Sequence, residues 1–368
     1  MRMHQLDTLR ALAVGLVMVE HYGGSWLNQR IPIGAGTLGV GCFFTLSGFL
    51  ITGVLLTTFD TVDRAAVGFR TFYVRRLLRL MPVFYAVILI LVLLGIEPIA
   101  SSWPWHAAYL TNFWVALGNP SNVFWSLAAE EQFYLIWPLI IVVTPRRWLV
   151  AATLGLIAVS FAFKAGVFLL GYSLSDLRGL LPTNFELLAL GCLLAIASYR
   201  GGCANCFDWY AGRVAVAFTV VAWLCLGLAI GSWLLLGEGS VLRFFTNNLL
   251  CGVFFAWLVV NAAIGFNGVI GRLFNSRTLQ YVGRISYGLY LVHNWMPKIV
   301  EKLVGDIPKL ELGLIVIPAT FAVCILSWHF FEQPILRLRH RFAAVPAAAE
   351  PAGQGGVPPQ PAASPRDR

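Results

Sequence analysis

Apolar residues gather into ten stretches of roughly twenty positions, covering 8–27, 36–57, 72–95, 122–143, 148–170, 182–199, 214–236, 246–265, 281–300 and 312–331. A helix needs about 20 apolar residues to cross the ~30 Å hydrocarbon core, and backbone exposed to lipid has to close its hydrogen bonds internally. The pattern therefore predicts ten transmembrane helices, and the fold class is all-α, a polytopic integral membrane protein. The segment 8–27 is predicted to be a retained first span, because Asp7, Arg10, Glu20 and His21 bracket its apolar run and no small-residue cleavage pattern follows. From about Ala343 the sequence turns Ala/Pro/Gly-rich, which cannot bury enough apolar surface to order itself. One transmembrane domain, 1–342, and a disordered cytoplasmic tail, 343–368, are expected.

Composition sharpens this picture. Of 368 residues, 58% are hydrophobic and 12% charged, against about 25% charged in soluble domains, so no separate soluble domain fits. Assigning Lys and Arg to alternate sides of the ten spans puts sixteen on one side and six on the other, which orients both termini to the cytoplasm. The net charge of +9 thus reflects membrane sorting, and no nucleic-acid partner is expected. The seven cysteines lie mostly within apolar runs, where a thiol acts as a small hydrophobe. Cys203 and Cys206 form a lone C-x-x-C without the second ligand pair that zinc requires, so no metal is expected.

Ionisable residues inside apolar spans are costly and mark interior sites. In the first span, Arg10 and His21 are eleven steps of about 100° apart, so both project from nearly one face, ~16 Å apart along the axis. Asp7, one turn before Arg10, is placed to pair with it. In the third, Arg75, Arg76 and Arg79 lie near the cytoplasmic end, where neighbouring guanidiniums grip phosphate with forked hydrogen bonds or simply anchor the helix. The fourth opens with Ser126, Glu130 and Glu131. A carboxylate there is expected to back the His21 imidazole and raise its basicity. Glu186, one turn inside the sixth span, is expected to pair with Arg178 or to bind an acceptor. On the ninth span Ser286, Tyr287, Tyr290, His293 and Asn294 share a mostly apolar helix, and Tyr287 and His293 are candidate substrate contacts. Glu332, at a helix end where a negative charge opposes the macrodipole, calls for a cationic partner such as Arg337 or the Arg75–Arg79 cluster.

The phrases carrying these residues, in chain order, are LDTLRALAVGLVMVEH with its Arg10-x10-His21 spacing, FFTLSGFLITGVLL at 43–56, FYVRRLLRLMP at 72–82, FWSLAAEEQFYLIWPL at 124–139, FELLALGCLLA at 185–195, ISYGLYLVH at 285–293 and FEQP at 331–334. Together they resemble the acyltransferase-3 family of bacterial membrane O-acyltransferases. The resemblance implies a multi-pass protein of the bacterial inner membrane that moves an acyl group, commonly acetyl from cytoplasmic acetyl-CoA, to a hydroxyl of an extracytoplasmic glycan or glycolipid. It assigns Arg10 and His21 to the catalytic motif and Arg75, Arg76 and Arg79 to the arginine motif. Transfer is then direct, or passes to a separate extracytoplasmic transferase. Two other readings fit the same polar residues: a proton-coupled transporter or flippase of a glycan or lipid, and acylation of a small-molecule antibiotic or lipid. Internal repeats, which many transporter folds show, are not evident.

Overall fold

The computed structural model describes residues 3–23, 34–62, 64–199, 206–236, 240–305 and 309–338, and every regular element among them is helical. Helices α1 (His4–Tyr22), α2 (Ala35–Thr61) and α3 (Ala65–Leu93) lead to two short helices, α4 (Ile99–Ala107) and α5 (Thr111–Ala116), and then α6 (Phe124–Val143). Next come α7 (Leu149–Leu169), α8 (Phe185–Ala197), α9 (Gly212–Leu236) and α10 (Val241–Ile264). The chain continues with α11 (Gly268–Phe274), α12 (Arg277–Val292), α13 (Met296–Val304) and α14 (Lys309–Ser327), which runs on through a π turn at Trp328–Glu332 into a short helix at Gln333–Arg337.

Each expected span overlaps a helix. Among the described residues seven, α2, α3, α6, α7, α9, α10 and α14, are long and apolar enough to cross a membrane. The first falls short in apolarity because α1 carries Asp7, Arg10, Glu20 and His21. The ninth is not one helix, as the apolar run suggested: α12 stops at Val292 and α13 starts at Met296, with Pro297 in its first turn. Proline has no N–H to extend a preceding helix and suits the start of a new one. Helices α4 and α5 lie outside all ten stretches and were not foreseen. The tail from 343 and Cys203 lie outside the described residues.

Between helices in lipid, association rests on close van der Waals packing, which small residues permit. A Cβ at Gly48 of α2 would lie 2.0 Å from the Leu188 carbonyl oxygen of α8, and one at Gly191 of α8 would lie 2.0 Å from that of Thr45. Helices α1 and α12 meet as closely, with a Cβ at Gly283 falling 1.7 Å from the Asp7 carbonyl oxygen. Ser276 caps α12 by accepting from the Leu279 N–H. Glu20 near the end of α1 accepts from the Gly36 N–H of α2 at 2.6 Å. These contacts fix α1 against α2 on one side and α12 on the other, which sets where Arg10 and His21 stand.

Candidate active site

Helices α1, α2, α3, α6 and α12 enclose a cavity of about 840 Å³. Arg10 lines it from α1, Arg75, Arg76 and Arg79 from α3, and Glu130 and Glu131 from α6. Residues that the sequence separates by more than a hundred positions therefore converge on one space.

Arg76 holds the centre. Its Nη2 lies 4.0 Å from Glu130 Oε1 and its Nε 3.6 Å from Glu131 Oε1, while its guanidinium carbon sits 3.1 Å from the centroid of the Tyr134 ring. Glu130 also accepts hydrogen bonds from the Ser47 and Tyr134 hydroxyls. Two carboxylates entering a membrane helix are thus compensated by a guanidinium and two hydroxyl donors. Arg79 is differently placed: it lines the cavity and stays exposed, with no carboxylate within ion-pair distance among the described residues. Arg10 pairs with Asp7 at 2.9 Å, as the spacing predicts, and the cationic heads of Arg10 and Arg76 each lie within electrostatic reach of Arg79.

His21 stands apart from this cluster. Its Nδ1 is 2.9 Å from the Val17 carbonyl oxygen. A carbonyl can only accept, so Nδ1 carries the hydrogen and Nε2 keeps a lone pair on the neutral ring. His21 is exposed and is not among the residues lining the cavity. Glu130 and Glu131 are engaged with Arg76, and Glu130 with Ser47 and Tyr134, and neither carboxylate is brought to His21. The neighbour of His21 is His293, whose ring centroid is 5.0 Å away. His293 is fully buried and absent from the cavity wall, so it is not placed as a direct substrate contact. Between it and the cavity stands Tyr290, 5.7 Å from His293, with its hydroxyl 2.5 Å from Ser126 Oγ. Tyr287 does line the cavity and donates its hydroxyl to the Leu80 carbonyl.

The expected partner of Glu186 is corrected. Glu186 does not pair with Arg178: its Oε1 is 2.6 Å from Lys164 Nζ and its Oε2 accepts from Ser160. The Lys164 and Glu186 side chains are 1% and 0% exposed, so this is a buried tie between α7 and α8, away from the cavity. Arg178 is exposed, and its carbonyl accepts from Thr183 and Asn184. Lys164 was missed, although a lysine within the run SFAFKAGVF is the signal of a buried partner. Glu332 accepts from Ser327 at 3.0 Å and feels Arg79 electrostatically, but forms no ion pair with Arg337 among the described residues. Among the described residues no cluster of three or more His, Cys, Asp or Glu side chains is arranged for a metal ion.

The helices thus surround a pocket of arginines and carboxylates, and the His21–His293 pair stands outside its wall. Residues 3–329 match the family described as an acyltransferase domain, and the chain belongs to that family. It is similar to the peptidoglycan O-acetyltransferase OatA of Listeria monocytogenes, with 27% identity over 90% of this chain and 55% of that protein. It is also similar to YrhL of Bacillus subtilis, provisionally named for the same activity, with 30% identity over 90% of this chain and 54% of that one. The chain spans about half the length of the curated relatives it matches. No solved structure matches it.

Proposed function

We propose that this protein is a membrane O-acyltransferase that moves an acetyl group from cytoplasmic acetyl-CoA to a hydroxyl of an extracytoplasmic glycan or glycolipid. The observation that carries the reading is the cavity that joins Arg75, Arg76 and Arg79 to Arg10 and the carboxylates of α6, with His21 eleven residues after Arg10 on the same helix. Membership of the acyltransferase family and the names of its relatives support the reaction class.

In this mechanism the CoA phosphates rest on Arg75 and Arg79, whose guanidiniums supply forked donors at the mouth. Arg76, neutralised by Glu130 and Glu131, keeps the wall between the mouth and the interior in shape. The pantetheine arm carries the thioester inward toward the Ser126 and Tyr290 end of the cavity. At the outer side His21 Nε2 takes the proton of the acceptor hydroxyl as the oxygen attacks the thioester carbonyl. The C–S bond breaks, the proton passes from His21 to the departing CoA thiolate, and the ester is released on the acceptor. Both termini face the cytoplasm in this arrangement, in a multi-pass protein of the bacterial inner membrane, and the acceptor is either the final glycan or glycolipid or a separate extracytoplasmic transferase that passes the acetyl group on. The fixed tautomer suits the role, because a neutral ring held through Nδ1 presents its lone pair at Nε2.

The test compares ester-linked acetyl groups on envelope glycans in cells with the wild-type protein, with none, and with His21→Ala. Loss of the esters with His21→Ala, at normal protein level in the membrane, is the expected outcome. Near wild-type esterification by that variant contradicts the assignment of His21.

A further inference from the structure

His21 on α1 and His293 just past the end of α12 meet edge to face, with centroids 5.0 Å apart and ring planes at 73°. The two rings are anchored alike. His21 Nδ1 lies 2.9 Å from the Val17 carbonyl oxygen and His293 Nδ1 3.0 Å from that of Leu289, four residues earlier in each case. Both neutral rings therefore hold hydrogen on Nδ1 and a lone pair on Nε2. His293 Nε2 is buried and has no hydrogen-bond partner, a state that native interiors rarely tolerate without a reason. The nearest donor on α1, the Tyr22 hydroxyl, is directed at the His293 backbone carbonyl, 2.5 Å away. Its second neighbour, Tyr290, engages Ser126 and the Val123 carbonyl.

We propose that His293 is a positioning residue for His21, acting as a neutral electrostatic partner whose unpartnered Nε2 lone pair stabilises the imidazolium that His21 becomes when it accepts a proton. The inference rests on the acyl-transfer reading, in which that imidazolium forms. It assigns to His293 the part expected of a carboxylate on α6, which the geometry instead commits to Arg76. A neutral partner raises basicity moderately, whereas a bare carboxylate beside an imidazole in low dielectric would hold it protonated and idle. Two imidazolium charges with ring centroids 5.0 Å apart would repel, so the role assigned to His293 is that of the neutral ring. The other titratable side chains around it are Glu20 and Tyr22 on α1, Tyr290 on α12 and Cys324 on α14. Glu20 is bonded to the Gly36 N–H, Tyr290 to Ser126, and Tyr22 lies near Cys324 and 3.4 Å from Thr320.

The test reads the imidazole directly. The full chain in lipid nanodiscs is treated with diethyl pyrocarbonate, which modifies neutral imidazole, and carbethoxylation of His21 is followed by mass spectrometry against pH. In His293→Phe, which keeps an aromatic ring without the lone pair, the midpoint for His21 is expected to fall by about one pH unit. In His293→Gln, which keeps an acceptor near Nε2, it is expected to stay near wild type. The acid limb of acetyl-CoA-dependent transfer to chitopentaose shifts with the midpoint. If His293→Phe fails to insert, His293→Asn serves in its place, since its amide reaches Leu289 but lacks the acceptor near Nε2. An unmoved midpoint in the Phe or Asn variant, or equal shifts in the Gln and Phe variants, overturns the proposal. A wild type that shows the midpoint behaviour but uses no acetyl-CoA overturns the transfer reading instead, so the two failures are distinguishable.

Discussion

Arg76 and Arg79 sit one helical turn apart on α3 and do different work. Arg76 faces two carboxylates and stacks on Tyr134, whereas Arg79 lies open in the cavity. Arg79→Ala is expected to raise KM for acetyl-CoA about tenfold, with thermal stability unchanged, as fits loss of a charge-assisted phosphate contact. Arg76→Ala is expected to lower stability as well, by roughly 3–5 kcal/mol, because it leaves a carboxylate pair uncompensated in a partly buried site. Adding Glu131→Gln to Arg76→Ala should recover part of that loss in a detergent thermal-unfolding assay, and no recovery would argue against the compensation. These distinctions mark how far the candidate site was legible. Helical spacing predicts the Asp7–Arg10 pair that the structure shows, but the eleven-residue step from Arg10 to His21 does not bring both to the cavity, which Arg10 lines and His21 does not. The sequence could not say that Glu130 would meet Ser47, Tyr134 and Arg76 and not His21, since that depends on how three helices rotate about their axes. The His21–His293 contact joins positions 272 residues apart and was equally hidden.

At the scale of elements, packing depends on glycines that carry no chemistry. Gly48→Ala or Gly191→Ala would drive a methyl group into backbone at the α2–α8 crossing, at a cost of about 1–3 kcal/mol or more. Gly227→Ala on α9, where a Cβ meets nothing within 4 Å, is the control and should leave the unfolding temperature unchanged or higher. Equal effects at all three positions would contradict the crossing geometry. The pair α4 and α5 adds a pH-sensitive tie. Buried His106 bridges Ser102, 2.9 Å from its Nε2, and Thr111, 2.8 Å from its Nδ1, and burial pushes its imidazole from 6.5 down to about 4. The unfolded ring takes a proton below 6.5 and the folded one resists until about 4. The stability it contributes is therefore full above that window and lost as pH falls through it. His106→Gln should flatten the fall in unfolding temperature between pH 6.5 and 4, and an unaltered slope would count against the tie. Hydrophobic runs announced the long helices well. They missed α4 and α5, whose Trp103, Pro104 and Trp105 break any twenty-residue pattern, and merged α12 with α13 because apolar character continues across the break before Pro297.

Among the described residues the helices form a bundle around a polar cavity, and the ten-span reading assigns sixteen basic residues to one side and six to the other. If α3 carries the arginines at the cytoplasmic end and α1 carries His21 at the other, donor and acceptor enter from opposite faces. Sidedness of this kind is measured with the protein reconstituted in sealed vesicles and sorted by orientation. Acetyl-CoA labelled in the acetyl group is supplied on one face and chitopentaose on the other. Labelled ester should form only when acetyl-CoA meets the face bearing the N-terminus, and His21→Ala vesicles should form none. Ester formation that requires both compounds on the same face, or that proceeds equally from either, would contradict the account.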